Sequence, residues 1–506
     1  MPAVLQERIY GKLGRSKRCR IFTCGKGWRV ETLRGLSHPM PNETPRALAS
    51  TTLSGAPPWF DASTSPLARS IVANAQGLLA LALHGFLIGY VCMYNVWVQV
   101  CWLLAIGLPT VLLIDWQPIL PRLWRDKFML LSAAFLGWMT WRSRWIGWSG
   151  SYEAMQDAAL GLVGVVMLAL FLVVIWLQGN RAHSYQRAGV LHGYAASIVA
   201  LISIVTFYCL LPDHHWGERL QNVIVHGGLH PVCTGLVFGF AALWMNCLWE
   251  SSSPWRTKGW QILAVTILLL GCFLTTSRGA LIALSCGHVA LLIGRGWRRA
   301  WASCLLFVVV AGLYVAATPL IGHLWAMQVK ARSAATAVAM PAEVAQPVRD
   351  LIERRDSGRL EIYQAGLSTM TTASERVIGI GQWGTRDRWA NLLAPEVDHL
   401  LGHLHSAFLA TFVHGGAIGL VLMVALVGVG LHRAQALARA GDAVWLALAA
   451  YGCGGLLCDG QTLCSLTSLP KFETLILWFP LAAASSIWYH GNRQPKTSEQ
   501  PPEAAS

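Results

Sequence analysis

The 506-residue chain is 54% hydrophobic and 13% charged, with a mean hydropathy of +0.47. An ordinary soluble domain carries ~25% charged residues, and apolar runs of roughly 18 or more residues recur here, so a soluble enzyme is excluded in favour of a polytopic membrane protein. The net charge of +14 does not point to nucleic acid, because the basic residues fall mostly in short connections between apolar runs, where they orient a membrane protein and attract anionic lipid.

Residues 1–68 show no helical apolar period. A basic cluster (Arg8, Lys12, Arg15, Lys17, Arg18, Arg20) is followed by a Pro/Ser/Thr-rich linker, which reads as a disordered cytoplasmic segment. No apolar core of the ~7–15 residues that a secretory signal needs is present. The alternative is an over-extended start, with Met40 as the true one.

Residues 69–490 form the membrane domain, an all-α unit with about twelve expected spans. These lie near 71–94, 96–114, 128–140, 157–177, 188–211, 232–249, 259–276, 280–294, 300–322, 405–429, 443–458 and 473–489. The 24 Trp and 11 Tyr suit anchoring at the headgroup level. With the N-terminus in the cytoplasm, the cytoplasmic loops carry Arg122/Arg125/Lys127, Arg181/Arg187, Arg256/Lys258, Arg295/Arg298/Arg299 and Arg433/Arg439. This is the asymmetry of the positive-inside rule. An even number of spans returns the tail, 491–506, to the cytoplasm as a disordered end. The long segment 323–404, between spans nine and ten, then lies outside, in the periplasm of a Gram-negative cell.

The 13 Cys are scattered, without a zinc-ligand spacing or a disulfide framework, although Cys19/Cys24 and Cys458/Cys464 are spaced to pair.

On the outer face, Lys and Arg should be scarce, so those present are informative. Arg142 and Arg144 sit among Trp141, Trp145 and Trp148, which reads as an aromatic belt. Arg219 lies in a short outer loop, and Arg278 lies between two apolar runs, with Gly279 as the expected break. A charge near the bilayer is costly and is paired or functional, the plainer reading being a helix-end Arg that snorkels to the interface. Arg359 follows a break at Ser357-Gly358 in an amphipathic helix, and the plainer reading there is a solvated charged face. Val377 to Gly381 makes a Gly-rich turn.

The stretch Gly402–Gly419, GHLHSAFLATFVHGGAIG, sets His405 and Ser406 at the mouth of the helix that follows the outer segment. An imidazole titrates near ~6.5 and is a natural proton acceptor at neutral pH. His405 is the candidate general base, with His403, Ser406 and His230 as secondary candidates; His399 also competes, and His414 reads as packing. Three outward Arg residues (Arg219, Arg278, Arg359) suit a multiply charged anion, since guanidinium holds phosphate in paired hydrogen bonds. On a membrane surface that anion is a lipid-linked diphosphate, and the same cations stabilise it as a leaving group. The connection near Asn95 has no acid, and Glu396 with Asp398 makes a weak site for a hard cation, so no metal and no cofactor are expected.

The order His405-Ser406, nine residues, Gly416, two residues, Gly419 resembles the signature of the O-antigen ligase family. RLQNVIVHGGLHPVCTG (Arg219, His230-Pro231), SRGALIAL (Arg278) and SGRLEIYQAG followed by GIGQWG (Arg359) are similar to further elements of that family, and the resemblance covers roughly 71–490. It implies a GT-C-like inner-membrane glycosyltransferase of lipopolysaccharide biosynthesis. Such an enzyme transfers polysaccharide from undecaprenyl diphosphate to lipid A–core oligosaccharide on the periplasmic face, with inversion and without metal. The partners implied are those two lipid-borne substrates and the membrane lipids. The same superfamily contains O-antigen polymerases and protein O-oligosaccharyl transferases that use the same donor. A polyprenyl-lipid transporter is the non-enzyme alternative, whose marks would be mid-membrane charges on broken helices and internal repeats.

Overall fold

The computed structural model describes residues 66–93, 95–143, 152–179, 181–211, 214, 216, 218–225, 230–248, 254–336, 359–382, 404–460, 463–464 and 472–492. Twelve helices follow the expected apolar segments: α1 (Ala75–Cys92), α2 (Val96–Leu112), α3 (Lys127–Arg142), α4 (Tyr152–Gln178), α5 (Ala182–Val205), α6 (Pro231–Cys247), α7 (Trp255–Leu274), α8 (Arg278–Arg295), α9 (Trp297–Thr336), then, after the two short helices α10 (Arg359–Ser368) and α11 (Ala373–Ile378), α12 (Ala407–Arg439), α13 (Val444–Cys458) and α14 (Phe479–Gly491). Among the described residues, seven helices are long and apolar enough to cross a membrane, and α2, α6 and α13 are apolar but shorter. Among the described residues the regular structure is all-helical, and its long apolar helices are those of a membrane protein.

Burial explains why helix length alone does not count crossings. Along α6 nearly every residue is buried, from Pro231 to Cys247. A helix apolar on all sides and enclosed by others needs no lipid-matched length, and α6 is the axis against which α5, α7, α8 and α13 pack. At the other extreme stands α9, of whose apolar window only 17% is buried. It is a peripheral helix whose apolar window is mostly exposed on the outside of the bundle. It also runs on to Thr336, so the outer segment expected from 323 begins as helix.

The pair α8 and α13 runs antiparallel in close contact. Small residues permit this: a Cβ on Gly454 would come to 2.9 Å from Cys286 Sγ. Without a hydrophobic drive between helices in lipid, such close backbone approach is how they associate.

The two ends of the bundle differ in chemistry. One end gathers the starts of α6, α8 and α12 with the ends of α7 and α13: Leu220 N–H donates to Leu274 O at 3.0 Å, and Gly279 packs against Cys458. At the opposite end Arg295 donates to Cys247 O at 2.5 Å, and the Tyr489 hydroxyl donates to Arg122 O at 2.7 Å. Here one expectation fails. Arg433 is not a loop residue; it lies within α12 and is 4% exposed. Its Nη1 reaches Asp126 Oδ1 at 2.6 Å, and its guanidinium lies 4.9 Å from the centre of the Trp488 ring. Asp126 also accepts from Phe128 N–H at 2.9 Å, capping α3, and from the Trp176 indole at 3.0 Å. Partners for both oxygens explain how a carboxylate with no exposure is tolerated.

Candidate active site

α12 begins at Ala407, and the residues before it do separate jobs. Ser406 caps the helix, its Oγ accepting from Leu409 N–H at 3.4 Å. His405 takes a left-handed backbone, φ 49°, which is strained for a residue with a side chain. That turn aims its imidazole back at the end of α13, where Nδ1 stands 3.3 Å from Asp459 Oδ1. Asp459 is 5% exposed and closes α13, its N–H donating to Gly455 O at 2.9 Å. Arg359, the first residue of α10, donates to Cys458 O and stands 3.9 Å from Asp459 Oδ2. Its cation thus meets both the negative end of α13 and the carboxylate. One turn along, the Tyr363 hydroxyl donates to His405 O at 3.3 Å. Burial pushes the Tyr363 phenol up, against the downward pull of Arg359, so it keeps its proton.

Chemically, His405, Asp459 and Arg359 form one constellation. A carboxylate at Nδ1 holds the proton on that nitrogen and leaves Nε2 with the lone pair of a base. The His405 side chain is 21% exposed and that of Arg359 is 28%, so water-borne groups can reach both.

Arg219 and Arg278 join through the α7–α8 turn. Arg219 Nε donates to Thr275 O at 3.0 Å, at the end of α7. Ser277 caps α8 and Arg278 is its first residue. The expected break at Gly279 is three residues too late: the chain turns at Thr276, φ 46°, and Gly279 lies inside α8 against Cys458. The same contact brings the start of α8 beside the residues that hold Arg359. His230 caps α6, its Nδ1 accepting from Val232 N–H at 3.4 Å. His403, His399, Arg144, Glu396 and Asp398 lie outside the described residues. Cys458 and Cys464, spaced for a disulfide, are not joined to each other; burial pushes the Cys464 thiol up to about 12. His414 is buried, as expected of a packing residue.

The signature glycine Gly416 has a physical explanation. α12 is broken at Gly416, φ 67° and ψ −168°, and the turn Val377–Gly381 docks in the break. A Cβ on Gly416 would overlap the Val377 carbonyl, and one on Gly379 would overlap the His414 carbonyl. Ile380 N–H donates to Val413 O at 3.0 Å and Gly381 N–H to His414 O at 2.9 Å. At Gly419, one turn on, a Cβ would come to 3.4 Å from Trp138 and Met139, an ordinary contact.

Residues 263–424 match the family described as O-Antigen ligase. That supports the family inferred from His405, Ser406, Gly416 and Gly419, and the match also contains Arg278 and Arg359. The match spans about a third of the chain, and over that stretch the chain is similar to O-antigen ligases. Among curated proteins nothing matches.

Asp459 lies beyond the matched segment and was absent from the sequence-derived candidates. Nothing in LLCDGQTLC marks it; an acid directly after an apolar helix, on the face holding His405, was the available signal.

Proposed function

We propose that this protein is an O-antigen ligase, transferring polysaccharide from undecaprenyl diphosphate to lipid A–core oligosaccharide. The observation that carries the reading is the His405–Asp459 contact beside Arg359, 3.3 Å and 3.9 Å from the same carboxylate, in a chain that matches this family. His405 Nε2 accepts the proton of the acceptor hydroxyl as that oxygen attacks the anomeric carbon from the face opposite the leaving group. The sugar–phosphate bond breaks with inversion, and undecaprenyl diphosphate departs with the bonding pair. Arg219, Arg278 and Arg359 bind the diphosphate and stabilise the charge it gains, without a metal ion.

The orientation follows from charge. Arg122, Arg125, Lys127, Arg256, Lys258 and Arg295 belong to the end opposite His405, which supports a cytoplasmic location for that end. The site then faces the periplasm from the inner membrane, with both termini in the cytoplasm.

The test is incubation of the purified protein with lipid-linked glycan and lipid A–core in EDTA. A ladder of glycan on lipid A–core supports the reading. Growth of the lipid-linked glycan alone would make the protein a polymerase, and absence of any covalent product would remove the enzyme.

A further inference from the structure

The docked turn has a second partner that neither the family match nor the proposed chemistry uses. Arg142, in the last turn of α3, donates through Nε to Ile378 O at 2.7 Å and through Nη2 to Gly379 O at 2.6 Å. The next two residues give their N–H groups to the broken turn of α12, Ile380 at 3.0 Å and Gly381 at 2.9 Å. Four successive residues are therefore held on two sides, carbonyls by α3 and amides by α12. The Trp138 indole, also on α3, donates to Gly415 O at 2.8 Å and ties the third carbonyl of the break.

This peg sits at the end of a short, stiff hairpin. α11 is closed at its start by a reciprocal cap, with Thr372 Oγ1 accepting from Glu375 N–H at 3.2 Å and Glu375 accepting from Thr372 N–H at 3.0 Å. α10 leads into it and carries Arg359 and Tyr363. Held at the peg, the hairpin offers Arg359 to the end of α13 already in place.

We propose that Arg142 is a positioning residue for lipid-diphosphate binding: by clamping the 378–381 turn into the break at Gly416, it preorganises Arg359. This rests on the ligase reading above. The clamp acts on neutral carbonyls, so its contribution is order rather than charge. Without it the hairpin must be ordered when the donor binds, and the cost falls on donor affinity. Once donor is bound the catalytic groups are unchanged, so turnover at saturating donor persists.

The experiment uses R142A and R142K in lipid nanodiscs, with R142K retained in case R142A does not fold. Amide hydrogen exchange at Ile380 and Gly381 and steady-state transfer with lipid-linked glycan are both measured. Expected for R142A are exchange about tenfold faster at both amides and a donor KM raised by about tenfold. kcat and the acceptor KM should stay within about twofold, and added guanidinium should restore the donor KM. R142K, which offers one ammonium to two carbonyls, should fall between. Unchanged exchange with a raised donor KM would overturn the proposal and make Arg142 a direct ligand of the diphosphate. Unchanged donor KM in either folded variant would overturn it as well. If the unaltered protein transfers nothing, the ligase reading falls and the donor role with it, while exchange separately reports whether Arg142 holds the turn.

Discussion

His405 and Asp459 are 54 residues apart in the chain and 3.3 Å apart at Nδ1 and Oδ1. The residue expected to take a proton therefore stands on a carboxylate that the end of another helix supplies. Arg359 shares that carboxylate from the α10–α11 hairpin, which makes Asp459 the junction of the candidate base and cation.

Asp459→Asn tests the junction. An amide can present N–H to Nδ1 and favour the wrong tautomer, so kcat should fall by about 10²-fold or more, the worth of a working general base. Transfer rates at saturating donor measure it. A rate within about threefold of the unaltered protein would show that Asp459 does not govern His405.

Tyr363→Phe removes a hydroxyl that donates to the left-handed His405 backbone at 3.3 Å. One neutral hydrogen bond of about 0.5–1.5 kcal/mol corresponds to a two- to tenfold loss in kcat. Burial raises the phenol above its ordinary value, so Tyr363 keeps its proton and adds no alkaline limb to the rate profile below pH ~10. A pH–rate series on both proteins checks this, and a limb below that pH that vanishes in the variant would contradict it.

Gly416→Ala and Gly428→Ala make opposite predictions within one helix. At Gly416 the backbone is left-handed and the added methyl meets the Val377 carbonyl, so a loss of roughly 2–3 kcal/mol or more is expected. At Gly428 nothing lies within 4 Å, and the helix should gain up to about 1 kcal/mol. Thermal unfolding in detergent compares them, and equal effects would refute the docked-turn explanation of the signature.

Arg433→Met leaves the Asp126 carboxylate buried and without its cation, which should cost about 3–5 kcal/mol. Adding Asp126→Asn should recover a substantial part, because the charge that was stranded is gone. Unfolding of the single and double variants supplies the measurement. A double variant no better than the single would mean that packing, not charge, explains the loss.

The helical segments, the basic bias of one end and the candidates His405 and Arg359 were legible in the sequence because each depends on its own neighbours along the chain. An apolar run of span length, a loop rich in Arg, or a His at the mouth of such a run requires no knowledge of what it touches. Asp459 was not legible, nor was the burial of Arg433, the enclosure of α6, or the true break at Thr276. The motif made Gly416 and Gly419 conspicuous without disclosing that a turn from the α10–α11 hairpin enters the helix at Gly416. These features are decided by groups brought together from distant helices, where a partner's position rather than a residue's own polarity sets whether a charge is paired, a helix is lined by lipid, or a glycine is required. In an apolar chain where most residue types would be content on any helix face, only the packed arrangement makes that choice.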